Sequence, residues 1–472
     1  MTLPSVRPAF REISLLAAGA AILLWQLFLP GFIGVADNRD FAKVAGHLCI
    51  GRAEVTDTSA YFIYFYPDYQ RSPHHCWESE VPTSEVWLAG TASWVQAHLG
   101  NAERFDIRWL GAVHTLCFLA AWSLWLVALR PLQGVAWWIV TIAALWIFTD
   151  VGFIAYLNTF YTDAAGFLGA MIMLPAFLWM LTSRGTAPVI WFSLGALLFV
   201  TSKGQHGALA PILAASLWAA RWREPLRSRV LAWVLGATLI AGGGWVLSQT
   251  PYWYRAQARF NLTFVRILPN SPTPARDLSE LGLSQTDLPY SGMHAYRDDS
   301  PASNPAWLEA FSHRGGYGRV MMFWIRHPIR MLANVRRDLE TEAWQRRPAG
   351  FSNFQPDSGR PPRAQASRFG SWSALRTKLV LWWPEHLAVW YALILLLGPI
   401  FASRLSAGFP RAIVWTAVLA ATLGLTEFLL SSLADAIETS RHLLLFHLFT
   451  DLTLFLALIF MASKERGART KI

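Results

Sequence analysis

Charge is what this sequence has least of. Asp, Glu, Lys and Arg make up 15% of 472 residues, against about 25% in an average soluble domain. That shortage excludes an ordinary soluble domain. Cysteine is scarce too, at three residues, and no matching Cys/His set accompanies His74, His75 and Cys76 at the spacing of a zinc finger. Strict apolar–polar alternation is missing, which excludes a membrane β-barrel. The stretch His313-Arg-Gly-Gly-Tyr-Gly318 lacks the Lys-Ser/Thr that completes a phosphate loop. There is no internal repeat and no coiled-coil heptad.

What is present is apolar: 54% of the chain is hydrophobic. Apolar runs recur over 13–34, 109–129, 133–149, 164–182, 187–202, 206–221, 230–248, 385–403, 412–431 and 442–462. Backbone inside hydrocarbon must satisfy its own hydrogen bonds, so these runs predict helices. The expected fold is an all-α integral membrane protein of about ten transmembrane helices with two large outer loops. Trp137, Trp138, Trp382 and Trp383 stand near run ends, where an amphipathic ring suits the interface.

Orientation follows from the joints. Arg7 and Arg11, Arg130, Arg184, the group Arg221, Arg223, Arg227 and Arg229, the pair Arg404 and Arg411, and finally Lys464, Arg466, Arg469 and Lys471 all fall on one side. The joint 150–163 on the other side has no Lys or Arg. Both termini are therefore expected in the cytoplasm of a multi-pass protein of a bacterial inner membrane. The net charge of +10 is then mostly topology plus a basic outer domain, and implies no nucleic-acid partner. The basic start and the triplet Gly34-Val-Ala36 resemble a signal peptide, but the apolar run is too long for one, so the first helix is expected to remain uncleaved.

Three parts follow from this map: a membrane module over 1–248 that includes a first outer loop at 35–108, a periplasmic loop domain at 249–384, and C-terminal membrane helices at 385–472. Pro, Gly and Ser clusters at 269–274, 300–305 and 355–363 predict loops. Residues 319–340 carry apolar side chains near helical spacing with Arg between them, which suits a helix on the membrane surface or one packed on the loop. Cys49 and Cys76 share the first outer loop, where an oxidising compartment suits a disulfide; two free thiols are the alternative. Cys117 lies inside the second helix.

Candidate chemistry gathers at the outer ends of the helices. Asp37 and Asp40 follow the first helix and would share a face if their segment were helical. A partly desolvated carboxylate there can act as a base or hold a cation; a helix cap beside a solvated acid is the bland alternative. Asp163 opens the fourth helix and can equally be a cap. The fifth and sixth runs have about 16 residues, roughly 24 Å of helix against about 30 Å of hydrocarbon. Their joint carries Lys203, Gln205 and His206, which should sit at or below the surface, holding an anion or snorkelling to lipid phosphates. Arg441 and His442 stand at the start of the last helix, an unfavourable place for a cation. That placement points to an external anion, or to an ion pair with Asp435 or Glu438.

These residues carry a resemblance. Asp37-Asn-Arg-Asp-Phe41 resembles the Asp-Glu-x-x-Tyr start of the first outer loop in aminoarabinose and mannose transferases of the GT-C superfamily. Thr201-Ser-Lys-Gly204, followed by Pro211, resembles their Thr-Lys-Gly-Pro segment. With Tyr161-Thr-Asp163, Gln205 and Arg441-His442, the pattern is similar to bacterial hexose transferases of glycan assembly, the WsfD-like group. One departure is Asn38, where many relatives have Glu. The resemblance implies a polyprenyl-phosphate sugar donor, a glycan or lipid acceptor, an outer-loop Asp as base, and basic residues at other joints holding the carrier phosphate. It names no cofactor, and leaves a divalent metal open.

The resulting expectation is transfer of a hexose from a polyprenyl phosphate on the periplasmic face, with Asp37 or Asp40 as catalytic base. Lys203, His206, Arg441 and His442 would bind the donor phosphate, and Asp163 and Gln205 are further candidates. A lipid-glycan flippase or transporter would place its charges nearer the midplane and show inverted repeats; a non-catalytic subunit of a polysaccharide assembly complex is the other alternative. The map is checked by fusing a reporter that works only outside the cytoplasm. It should be active after residue 300 and silent after residue 185, and activity after 185 would break the ten-helix arrangement.

Overall fold

The computed structural model describes residues 10–52, 61–76, 83–100 and 102–469, with side chains described up to residue 463. Arg7, Lys464, Arg466, Arg469 and Lys471, used above for orientation, lie outside the described side chains. The protein is an all-α membrane protein. Its principal helices are α1 (Phe10–Leu27), α2 (Ser84–Leu99), α3 (Arg108–Ala128), α4 (Gly134–Phe148), α5 (Asp163–Thr182), α6 (Ala187–Val200), α7 (Ala210–Arg221) and α8 (Leu226–Gln249). There follow α9 (Tyr252–Asn261), α10 (Pro305–His313), α11 (Tyr317–Arg326), α12 (Pro328–Thr341) and α13 (Ser371–Trp382), then α14 (His386–Arg404), α15 (Phe409–Leu433) and α16 (Leu444–Arg469).

Each of the ten apolar runs contains a helix, but not all of these helices are equally long. Among the described residues seven are long and apolar enough to cross a membrane, and an eighth span forms if α4 and Val151–Asn158, bent by 46°, count as one. Helices α6 and α7 have 14 and 12 residues. The runs predicted from sequence were longer because Thr201 and Ser202 form a turn at the end of an unbroken apolar run, and Gly204–Gly207 is a separate short turn of helix before α7. The joint between these two short helices is held against α8 by Gly207 and Gly243. A Cβ on Gly207 would lie 2.5 Å from the Gly243 carbonyl oxygen, so only glycine lets the backbones meet here.

Helix α5 is the axis of the bundle, with Phe167, Leu168, Met171 and Met173 fully buried. Around it the helices pack through one continuous apolar core. The two long segments share one side of the bundle, called here the loop side. Between α1 and α3 lies a small antiparallel sheet, β1 (Ile50–Gly51), β2 (Asp68–Arg71) and β3 (Arg104–Asp106), with Tyr69 opposite Phe105. Cys49 and Cys76 are disulfide-bonded, fastening the start of β1 to the segment after β2. The second long segment is stitched to the first by backbone hydrogen bonds, Ala36 N–H to Ser352 C=O at 2.8 Å and Phe65 N–H to Phe354 C=O at 2.9 Å.

Residues 319–340 are not one helix. Pro328 disfavours the helical conformation of the residue before it, and the chain breaks at His327 between α11 and α12. The pair packs on the loop-side end of α15, where Trp324 Nε1 donates to the Leu433 carbonyl at 3.2 Å and Asn334 donates to the Ser432 carbonyl at 2.9 Å. Its free side exposes Met321, Ile325, Ile329 and Leu332, an apolar stripe beside the end of a membrane helix, as an interfacial helix requires.

The disulfide closes a loop through the sheet, and such bonds typically contribute about 2–4 kcal/mol. Denatured without reductant, the protein should accept one thiol-alkylating label, on Cys117; after reduction it should accept three. Three labels before reduction would show that the pair is not bonded in the membrane.

Candidate functional site

The loop-side ends of α5, α6 and α8, with α9 and the turn before α16, enclose a cavity lined by Asp40, Lys43, Thr83, Tyr161, Thr162, Lys203, Gly204, Thr250, Pro251, Tyr254 and Arg441. Of its charged lining residues three are cations and one is a carboxylate. The residues arrive there for local reasons. Ser84, which opens α2, donates from its hydroxyl to the Leu198 carbonyl at 2.7 Å, and its N–H donates to the Thr201 carbonyl at 3.0 Å, fixing the turn that carries Lys203. One residue on, Glu85 and His114 form a fully buried pair at 3.0 Å, and Glu85 also accepts the Ala165 N–H at 3.0 Å. Helices α2, α3 and α5 are thus tied together beneath the cavity.

Arg441 is the hub. Its Nη2 meets Asp40 at 2.7 Å, its Nε meets Glu438 at 2.8 Å, and its Nη1 faces Asp163 at 3.7 Å. Asp40 is also bridged by Lys43 at 2.5 Å. Lys203 lies 3.5 Å from Asp163 and donates to His442 Nδ1 at 2.9 Å. An ammonium can only donate, so Nδ1 is the acceptor and the neutral His442 ring carries its proton on Nε2, which faces Asp435 at 3.7 Å. The contacts of Asp163 are long ones, and its Oδ2 has no hydrogen-bond partner.

Asp37 and Asp40 do not share a helical face. Residues 37–40 are a turn, with Arg39 in the left-handed region at φ 86°, so the two carboxylates diverge. Asp37 Oδ1 accepts the N–H groups of Arg39 at 2.7 Å and Phe41 at 3.2 Å and is not on the cavity wall, whereas Asp40 is. Burial pushes the Asp37 carboxyl up to about 7, against the pull of those two N–H groups. Burial also acts to raise Asp40, but Lys43 and Arg441 outweigh it and hold that carboxyl well below the usual range. Two neighbouring acids therefore differ in affinity for a proton because the cations beside Asp40 outweigh its burial, whereas Arg52 and two N–H groups do not outweigh that of Asp37.

Of the other residues singled out from sequence, Gln205 and His206 face away from the cavity into the bundle. Gln205 donates to Glu427 at 2.9 Å and His206 lies 3.5 Å from the same carboxylate. Asp163 and His442 flank Lys203 without lining the cavity. Sequence reading missed Lys43, Tyr254 and Glu427. Lys43 was within reach as the i+3 partner of Asp40. Glu427 carried a plain signal, a lone acid inside the apolar run 412–431, since an ionisable group within a span marks function or a buried partner. Among the described residues no group of three or more His, Cys, Asp or Glu is arranged to hold a metal ion.

Fold and site together define a multi-pass helical membrane protein with a cation-rich cavity at one end of the bundle. The family model described as YfdI N-terminal transmembrane domain matches residues 7–471, and the chain belongs to that family. No curated protein matches it significantly.

The raised Asp37 has a consequence for stability. Its folded pKa of about 7 exceeds the ordinary 3.8, so the native state binds the proton more tightly than the unfolded chain. Stability from this group is present below about pH 4 and is lost as pH rises toward about 7. Asp37→Asn, which cannot ionise, should melt higher than the wild type at pH 8, by on the order of 2 °C, and about equally with it at pH 3.5. A variant less stable than the wild type at pH 8 would show that the carboxylate is favourably held.

Proposed function

We propose that the protein is a GT-C-type glycosyltransferase that moves a hexose from a polyprenyl phosphate to a glycan or lipid acceptor, with its loop side in the periplasm of a bacterial inner membrane. The observation that carries this reading is the wall of the cavity: Lys43, Lys203 and Arg441 against a single carboxylate, Asp40, at the end of a membrane bundle. Three cations lining a cavity at the level of lipid headgroups suit a phosphate whose carrier chain stays in the bilayer. Membership of the YfdI family supports the class, and the resemblance of the motifs around Asp37, Lys203 and Arg441 supports the reaction.

In the reaction the acceptor oxygen attacks the anomeric carbon while the bond from that carbon to the phosphate oxygen breaks. The hydroxyl proton passes to a carboxylate, and the bonding electron pair leaves on the polyprenyl phosphate. Charge developing on the phosphate is met by Lys203 and by Arg441, whose Nη1 is only loosely occupied at 3.7 Å from Asp163. The two acids then divide the work. Asp40, held ionised by Lys43 and Arg441, orients the cations and is a poor proton acceptor. Asp37, raised to about 7, has the proton affinity a general base needs near neutral pH, and because it stands off the wall of the donor cavity the acceptor hydroxyl would have to reach it from outside that cavity.

A cell-free assay with a panel of polyprenyl-phosphate sugars tests the reading. Asp37→Asn should lower kcat about 100-fold and flatten the rise of kcat/KM around pH 7, while Asp40→Asn and Lys203→Ala should chiefly raise the KM for the donor. Full transfer by well-expressed Asp37→Asn and Asp40→Asn proteins would make the acids structural, and no transfer by the wild type from any carrier would remove the enzyme reading.

A further inference from the structure

A second cavity, of about 430 Å³, lies on the other face of α9. Its wall includes Arg255, Arg259, His313, Tyr252 and Tyr317, and no carboxylate contributes to it. Arg255 and Arg259 are one helical turn apart and so project from one face, while Tyr254, about 100° away around the helix, lines the first cavity. The two cavities are separate in their lining residues.

The charge here is uncompensated. Arg259 is 6% exposed, and among the described residues it forms no ion pair. Its guanidinium donates to the Phe311 carbonyl and lies 4.4 Å over the Phe311 ring. Neither Arg255 nor His313 has an ion pair among the described residues. By contrast Arg314, next to the cavity, is paired with Asp287 at 2.9 Å. A buried guanidinium without a carboxylate is expensive to maintain and is satisfied by an anion from outside. The wall opposite the arginines is the stretch His313-Arg-Gly-Gly-Tyr-Gly318. Gly315 adopts φ 80°, and a side chain on it would collide with the Leu281 carbonyl. Gly316 adopts φ 150° with open space where a Cβ would stand, leaving bare backbone facing the cavity.

The depth of the site identifies the carrier of the anion. Helix α9 starts two residues beyond Thr250, the cap of the membrane helix α8. Tyr317 donates to the carbonyl of Ala434 at 3.1 Å, at the end of α15. The cavity is thus bracketed by the ends of two spans, at the height of lipid headgroups. Met321, at 62% exposed, and Ile325, at 61%, continue from Tyr317 as an apolar surface for acyl chains.

We propose that this cavity binds the phosphoryl headgroup of a membrane lipid, through Arg255 and Arg259, at a site distinct from the first cavity. Charge-assisted pairing of a phosphate oxygen pair with the Arg259 fork supplies the affinity, and the exposed Met321–Ile325 surface makes the lipid form preferred over the free anion.

Full-length protein purified in detergent, in a Lys203→Ala background so that the first cavity contributes little, is titrated by calorimetry with dihexanoyl phosphatidic acid, inorganic phosphate or dihexanoylglycerol. The phosphatidate should bind at one site at least about tenfold more tightly than inorganic phosphate, and the glycerol should not bind. Arg255→Gln, at an exposed position that folding tolerates, should weaken phosphatidate about tenfold, and Arg259→Gln by more, while Arg276→Gln, at an exposed arginine outside the cavity that pairs with Glu280 at 3.1 Å, should leave it unchanged. Phosphatidate binding unaltered by Arg255→Gln and Arg259→Gln would overturn the site. Equal binding of phosphatidate and inorganic phosphate would overturn the lipid assignment. Each result is independent of whether the first cavity transfers sugar.

Discussion

The loop side of this protein is organised by one buried cation. Arg441 is 5% exposed, and a guanidinium taken out of water must be surrounded by acceptors or the fold cannot hold it. The acceptors come from three places far apart in sequence: Asp40 from the first long segment, Asp163 from the start of α5, and Glu438 from its own turn. Meeting that demand brings the first loop, the central helix and the start of the last helix to one point. Loss of Arg441 would leave three carboxylates facing each other with little water, and removing one partner from a buried ionic network typically costs about 3–5 kcal/mol. The cavity lies against this network, so the same charges that hold the loops together also give the cavity its sign.

The membrane architecture was legible in the sequence because hydrocarbon imposes a length and an apolarity on each run, and all ten runs contain helices. Length near a turn was not. Thr201 and Ser202 do not break an apolar pattern, but their hydroxyls bond back to Leu197 and Phe199 as the helix ends. The turn at Asp37–Asp40 was hidden for a related reason: Arg39 takes a left-handed conformation that no local residue preference announces. Two acids three apart suggested one helical face, and one backbone angle sent them in different directions. What brought Asp40 to Arg441, across 401 positions, is tertiary packing that spacing cannot express.

A carboxylate is the expected companion of a cation in a membrane protein, so the informative places are those where the two numbers fail to match. In the bundle the ion pairs are closed off by packing. Asp451 in α16 takes Arg346 at 2.5 Å and Arg376 at 3.2 Å, both 3% exposed in their side chains, and Trp372 donates to it at 2.8 Å. That cluster is saturated and anchors α13 to α16. Glu12 and Arg130, at 2.7 Å, do the same for α1 and α3. Such pairs carry positional information and leave no valence for a ligand. The first cavity differs because three of its cations line open space, and the second because its wall has no acid at all.

Helix α9 stands between these two exceptions, and its geometry explains how one short element serves both. Successive residues of an α-helix turn by about 100°, so Tyr254 and the Arg255/Arg259 face necessarily look in different directions. Tyr254 packs its ring 4.4 Å from Lys43 Nζ in the first cavity, while Arg259 stacks on Phe311 in the loop-side core formed with Phe260, Phe264 and Leu308. The helix is therefore fixed on one side by a cation–aromatic contact at the first cavity and on the other by an apolar cluster. Neither contact permits α9 to rotate without exposing a buried ring or an unpaired charge. An anion settling on Arg255 and Arg259 would tighten that placement, and with it the position of Tyr254 and Lys43. A single helix of 10 residues thus gives Tyr254 to one cavity and both arginines to the other, and the two cavities share no lining residue.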